Sequence, residues 1–374
     1  WSENNPGYAG PWGEKVWHEA DNGLFYYGVF FFSMPDLNFV NLEVTTKMED
    51  AARYWLVDVG VDGFRIDGAR HLIEEGKIQE NTKSTISWFQ NFEKLYKTWK
   101  PNGMTVGEIW DSSYVTTSYL KSSSFDMVFD FDLASAIVST VATGNADGLS
   151  ANIASEVDLY NYKGMGTFLS NHDMNRVMSQ LGNDTNLMKH AATVLLTIPG
   201  TPFIYYGEEI GMVGMKPDEQ IRSPMQWNSM SEGGFSTGTP WEVPNFSYKK
   251  VNVEAQLLDE YSLLSLYRNR IDIRLNHSAL IDGKYFKGNS SNPALYAGLQ
   301  TNESDYVLTI INLKNSIIEA PSIKFKSGLS AGKYTVLDLL DGGKVDQEIE
   351  VKVIGSDLEI DFSEPISAHQ NLIF

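Results

Sequence analysis

"GVDGFRIDGARHL", residues 60–72, begins as a strand and then breaks its own pattern. Val61, Phe64 and Ile66 are good strand formers, yet Arg65 and Asp67 interrupt them with opposite charges. Side chains two apart on a strand share a face, so the pair points one way and can form a charged floor where the strand ends. An isolated Arg-x-Asp is more often a buried ion pair that only ties a strand to its neighbours. The rest of the chain decides between these readings.

Outward from this stretch, short apolar strands alternate with helical patterns. "VDGFRID" is followed by the helical "STISWFQNFEKLYKTWK", then by "MTVGEIW", "FDMVFDF", "LASAIVSTVATG", "GMGTFLSNHD", "NLMKHAATVLLTIPG" and "TPFIYYGEEIG". Strand and helix in alternation predict parallel βαβ units, a sheet covered by helices. Polar residues gather at the carboxyl ends of these strands: Arg65 and Asp67, then Glu108, then Asn171, His172 and Asp173. In parallel α/β folds that end carries the active site. A Gly-, Pro- and Trp-rich stretch over residues 211–244, "RSPMQWN" included, reads as a long functional loop. "LLDEYSLLSLYRNRIDIRL" has helical spacing and closes the first part. From about residue 280, strands of five to eight residues separated by turns such as "DGG" and "NESD" predict a small antiparallel sandwich packed on the first part.

Composition narrows the function classes. The 374 residues allow two domains, or a barrel with an appendage, and a 42% apolar fraction supports a sizeable core. A formal net charge of −19 disfavours nucleic acid as a partner, and no apolar run is long enough for a transmembrane segment. With no cysteine, disulfides, thiolate chemistry and cysteine zinc sites are excluded. The amino-terminal "WSENNPGYAGPWG" carries no signal-peptide pattern. An aromatic content of 12% suits a protein that handles sugar rings, although large cores use aromatics too.

Asp67, Glu108 and Asp173 stand at the ends of three predicted strands. Glycoside cleavage needs one carboxyl to protonate the leaving oxygen and another to attack or assist at the anomeric carbon. An adjacent arginine keeps a nucleophilic carboxylate ionised and oriented. Three charged strand ends in successive units therefore favour a catalytic site over a structural ion pair.

"GFRIDGARH", "GEIW" and "FLSNHD" together resemble three conserved segments of glycoside hydrolase family 13, the α-amylase family, in their usual order. "MPDLN" at residues 34–38 resembles the short segment that precedes the family's fourth barrel strand. The resemblance implies a (β/α)8 TIM barrel followed by an antiparallel β-sandwich. It makes Asp67 the nucleophile, Glu108 the general acid/base, and Asp173 the carboxylate that holds sugar hydroxyls as the ring distorts. Arg65 becomes the partner of Asp67, and His172 a donor to the sugar at the cleaved bond. Arg70 and His71 match positions on the leaving-group side, and in many relatives the carbonyl at the His71 position serves a calcium ion. Arg176 matches an arginine that helps hold Asp173. Trp110, Tyr26 and Trp17 are candidate sugar-stacking surfaces or core residues.

The family's first conserved segment, an Asp followed by Asn-His on the third barrel strand, is absent. Five candidate strands are present where a closed barrel needs eight. The chain is thus expected to be the carboxyl-terminal part of the enzyme. Residues 1–35 would end the excursion (domain B) after strand 3, residues 36–278 would hold strands 4–8, and residues 279–374 would form the sandwich. Strands 1–3 would come from an amino-terminal segment, seated between the Asp67 strand and the strand at residues 203–206. "MPDLN" resembles the segment of a group intermediate between oligo-1,6-glucosidases and neopullulanases, and "RSPMQWN" resembles the oligo-1,6-glucosidase side. The expected function is retaining hydrolysis of α-1,4 bonds in starch or maltooligosaccharides. The alternative is an α-glucosidase or glucosyl transferase/isomerase of the same family. A non-catalytic family member is disfavoured, because all three carboxylates are kept. The chemistry requires no cofactor, and a structural calcium ion fits the resemblance. The expected location is extracellular or at the bacterial cell surface, with the cytoplasm as the alternative.

Overall fold

A computed structural model describes residues 2–362 and 364–374. The chain divides into two compact units, Trp1–Phe129 and Asp130–Phe374.

In the first unit, strands Gly63–Ile66, Met104–Gly107 and Met127–Phe129 are parallel neighbours in that order. The helix Lys83–Trp99 crosses from the first strand to the second. Thr82 starts it, its side chain accepting from the Thr85 N–H, as an N-cap should. Its buried residues Thr85, Phe89, Phe92 and Tyr96 recur at helical spacing. Phe92 and Tyr96 join Leu56, with Val61, Phe64 and Trp88 packed against them. The apolar half of the opening stretch therefore goes into a helix-on-strand core.

Preceding that strand, the helix Leu42–Arg53 buries none of its side chains, and the π-helical turn Tyr54–Val59 buries only Leu56. Gly60, in a left-handed conformation, stops it. Tyr54, Trp55, Val57 and Val59 remain exposed beside the Gly63–Ile66 strand, which lies at an edge of its sheet. A cavity of about 300 Å³ opens there, lined by Met48, Ala52, Trp55, Phe64, Trp88 and Phe92.

In the second unit, Met165–Thr167 runs parallel to Thr201–Pro202, and the Phe203 N–H extends the pairing to the Thr167 carbonyl at 2.7 Å. Helices Phe131–Thr143, Thr185–Thr197 and Leu263–Asn276 lie where the periodicity predicts them. Leu149–Tyr160 is an added helix within the same βα alternation. Arg274 donates to the carbonyls of Leu196 (3.1 Å) and Ile198 (2.9 Å), closing the end of helix Thr185–Thr197 that would otherwise be left unpaired.

Two antiparallel sheets follow. One holds Lys284–Lys287, Leu295–Thr301, Tyr306–Asn312 and Asn371–Ile373; the other holds five strands, among them Gly332–Asp338, Lys344–Ile354 and Asp357–Asp361. Leu295, Ala297, Leu299, Ile310, Ile349 and Ile360 share their core. Strand Leu295–Thr301 is buried along its whole length because both faces are covered. One face looks into the sandwich, while Gln300 donates to the Thr197 carbonyl and the Ala297 carbonyl accepts from Ser150 on the helical side. The expected packing of sandwich on helices is present within this unit. Among the described residues, no helix is long and apolar enough to cross a membrane.

Candidate active site

Asp67 and Glu108 each stand one residue past a strand, on Gly63–Ile66 and Met104–Gly107. The strands hold them in register, the Glu108 N–H donating to the Ile66 carbonyl (2.9 Å) and the Ala69 N–H to the Glu108 carbonyl (3.1 Å). Between Asp67 and Ala69 the chain turns through Gly68, at φ +48°, where an added Cβ would lie 2.9 Å from the Phe30 ring. At Gly107 a Cβ would lie 2.8 Å from Phe125. Both glycines let the acidic turns sit close against aromatic rings.

Arg65 joins the two acids. Its Nη1 is 2.7 Å from Asp67 Oδ1, and its Nη2 donates to Glu108 Oε2. The sequence assigned Arg65 to Asp67 alone; one guanidinium in fact grips both carboxylates. The surroundings of the two acids differ sharply. The Asp67 side chain is 81% exposed and that of Glu108 only 8%. Trp110, two residues on, is half exposed.

Arg70 is mostly buried and committed to local partners. Nη1 donates to Asp111 Oδ2 (3.0 Å), Nη2 lies 3.3 Å from Glu80 Oε2, and Nε donates to His71 Nε2 (3.0 Å). Burial would raise the Asp111 carboxyl, but bonds from Asn81, the Ser112 N–H and Arg70 outweigh it and hold it below the usual range. His71 is buried, its Nδ1 3.0 Å from the Gln79 carbonyl, with the rings of Trp12 and Phe30 each 5.3 Å away. Because Nε2 accepts from Arg70, Nδ1 must carry the proton. Burial pushes this imidazole down, favouring the neutral form. Trp17 packs edge-on against Tyr27, and the Tyr26 hydroxyl donates to the Phe32 carbonyl.

The second unit carries a separate polar group after strand Met165–Thr167. His172 Nε2 is 3.1 Å from Asp173 Oδ2. Arg222 donates from Nη2 to Asp173 Oδ1 (2.6 Å) and from Nε to the His172 carbonyl (2.8 Å), and pairs with Asp218 at 2.9 Å. The sequence pointed to Arg176 for holding Asp173; Arg222 does it. Arg176 is buried, donates to the Tyr206 carbonyl at 2.7 Å, and lies 4.7 Å from the centroids of the Tyr205 and Tyr206 rings. Burial lowers its pKa, partly offset by the two tyrosines. Arg222 stands at the head of "RSPMQWN", which reads as loop because its partners are about 50 residues away. The arginine was visible, but its partners were not.

Residues 3–283 match the family described as "Alpha amylase, catalytic domain". The chain belongs to the α-amylase family. It is 32% identical over 305 residues to alpha-amylase 3 of Dictyoglomus thermophilum, covering 80% of this chain and 59% of that relative. To the trehalose synthase/amylase TreS of Mycolicibacterium smegmatis it is 31% identical, covering 73% of this chain and 54% of the relative. Proteins named 4-alpha-glucanotransferase and oligo-1,6-glucosidase also match. The crystal structure of the alpha-amylase from H. orenii superposes with a TM-score of 0.78 at 33% identity, covering 96% of this chain and 70% of that one. This α-amylase family member therefore spans between half and three fifths of the length of the first two curated relatives. Its fold is that of the α-amylase catalytic domain, a TIM-barrel framework with antiparallel sheets following it.

Proposed function

We propose that the chain belongs to a retaining glycoside hydrolase that cleaves α-1,4-glucosidic bonds of starch or maltooligosaccharides through a covalent glycosyl-enzyme intermediate. The grip of Arg65 on both Asp67 and Glu108 carries this reading. It keeps two carboxylates side by side, as a double-displacement site needs. Asp67, open to solvent, attacks the anomeric carbon while Glu108 gives its proton to the leaving glycosidic oxygen. Glu108 then takes a proton from water, which displaces Asp67 and frees the sugar. Asp173, with His172 beside it, binds sugar hydroxyls and gains most as the ring flattens.

Relatives named trehalose synthase/amylase and 4-alpha-glucanotransferase support a second reading, in which a sugar replaces water as acceptor. Both readings use the same carboxylates. Among the described residues, no group of three or more His, Asp or Glu converges as a metal cage. The calcium ion that the resemblance implies is structural in this reading and would draw on carbonyl and amide oxygens as well as carboxylates.

The same reading assigns an occupant to the free edge of Gly63–Ile66. An amino-terminal segment supplying further parallel strands would pair there and cover Trp55, Val57 and the 300 Å³ apolar cavity. Residues 1–374 expressed alone should then be insoluble or inactive, and co-expression with that segment should restore activity.

Starch digestion by the full-length enzyme, followed by product chromatography, separates hydrolysis from transfer. Asp67→Asn and Glu108→Gln should each abolish turnover with the fold intact, whereas near-normal turnover in either would sink the assignment.

A further inference from the structure

Arg222 holds Asp173 from an exposed position, and its two chain neighbours, Ile221 and Ser223, are both buried. A long, exposed side chain has many rotamers to lose, so its aim depends on how firmly its backbone is fixed. Two adjacent tyrosines of "TPFIYYGEEIG" fix it. The Tyr205 hydroxyl donates to the Ile221 carbonyl at 3.0 Å, and the Tyr206 hydroxyl donates to the Ser223 carbonyl at 2.7 Å. The two bonds straddle Arg222, one before it in the chain and one after.

The tyrosines are themselves held. Their rings meet edge to face with centroids 4.8 Å apart, and the guanidinium of buried Arg176 lies over both. Arg176 Nε and Nη2 have no hydrogen-bond acceptor among the described residues, so cation–π contact with the two rings takes the place of further bonds. The start of the same segment is tied to residues that closely follow Asp173. The Arg176 N–H donates to the Gly214 carbonyl (3.0 Å), the Gly214 N–H to the Ser179 hydroxyl (2.9 Å) and the Lys216 N–H to Asn175 Oδ1 (2.7 Å). A Cβ at Gly214 would lie 2.4 Å from the Gln220 carbonyl oxygen, so the segment closes tightly on itself before it reaches Arg222. Anchored at both ends, residues 214–223 return Arg222 onto Asp173.

Resting on the proposed role of Asp173 in binding the sugar, we propose that Tyr205 and Tyr206 are positioning residues for Asp173, acting through the backbone on either side of Arg222. Neither needs to touch substrate. The path runs from the phenolic hydroxyls to the Ile221 and Ser223 carbonyls, through the Arg222 guanidinium, to the carboxylate. Loss of a hydroxyl frees one side of Arg222 and leaves Asp173 with a less fixed partner. Because Asp173 gains most as the ring flattens, the loss falls on kcat and leaves KM nearly unchanged.

Tyr205→Phe and Tyr206→Phe in the full-length enzyme test this, since each removes a hydroxyl and keeps its ring against Arg176. Each should lower kcat on a maltooligosaccharide about two- to tenfold, the range of one neutral hydrogen bond, with KM and melting temperature little changed. Coupling is the readout that a merely structural role would not move. In an Arg222→Met background, where the guanidinium is already gone, neither tyrosine change should cost anything further. Losses of full size that persist in Arg222→Met would overturn the inference, because the tyrosines would then act by another route. So would an unchanged kcat in both variants, or a fall that only follows the loss of folded protein. Near-normal turnover in Asp173→Asn would overturn the proposed role of Asp173 itself, and this inference with it.

Discussion

Replacing Arg222 tests whether Asp173 is held in position for a sugar. Arg222 contacts Asp173, the His172 carbonyl and Asp218 at once, at 2.6, 2.8 and 2.9 Å. A hydrogen bond to a charged partner contributes about 1.5–3 kcal/mol. The Arg222 side chain is 41% exposed and that of Asp173 33%, so solvent screening reduces the Asp173 contact to about 1–2 kcal/mol. If that contact sets the carboxylate against substrate hydroxyls, Arg222→Met should lower kcat/KM by about 5- to 30-fold. Arg222→Lys keeps the charge but loses the planar fork that spans two acceptors, and should recover only part of the loss. Thermal melting should move little, because the ion pair is near the surface. The assay is steady-state hydrolysis of a maltooligosaccharide by the full-length enzyme, with melting curves alongside. An Arg222→Met variant within twofold of the unsubstituted kcat/KM would refute the reasoning, as would a fall in activity that merely tracks unfolding.

Gly68→Ala should destabilise the protein by about 1–2 kcal/mol and lower kcat, because φ +48° suits a side chain poorly and the new Cβ meets the Phe30 ring; melting and turnover measured together check it. Arg274→Met should cost about 2–4 kcal/mol in denaturant unfolding, since buried carbonyls at Leu196 and Ile198 lose their donor. Burial, opposed by the Tyr267 hydroxyl, raises the Glu208 carboxyl to about 8. The folded state then binds the proton more tightly than the unfolded one, so stability is lost as pH rises from about 4.5 through 8. Glu208→Gln should accordingly flatten this fall and melt higher than the unsubstituted protein at pH 8–9. Burial lowers His190 to about 4, against a bond to Asn371. The unfolded state binds its proton first, so this contribution is lost as pH falls from about 6.5 to 4, and His190→Gln should blunt the acid-side drop in melting temperature.

The parallel units were legible in the sequence because each core helix writes its burial at helical spacing, as Phe89, Phe92 and Tyr96 do. Asp67 and Glu108 were legible as charges one residue past an apolar strand, whereas Asp173 stands six residues beyond Thr167, where its strand ends. What the sequence hid was partnership. Arg65 reaches Glu108 only because the neighbouring strand sets the register, with Arg65 opposite Val106. Arg222 reaches Asp173 across 49 residues of chain, and Arg274 reaches the Leu196 carbonyl across 78. Such contacts depend on how loops return through space, which no local period encodes. The exposed helix Leu42–Arg53 and the turn Tyr54–Val59 were not anticipated either, since their apolar residues form no stripe that is buried in this chain.

The central claim is that Asp67 forms a covalent bond to the sugar. It is tested most directly by treating the full-length enzyme with a fluorinated glucosyl fluoride that loads the nucleophile quickly and releases it slowly, followed by peptide mass spectrometry. The account predicts one glucosyl adduct, on the peptide that carries Asp67, and none in Asp67→Asn. An adduct on another carboxylate, or β-anomeric product formed first from an α-linked substrate, would contradict it.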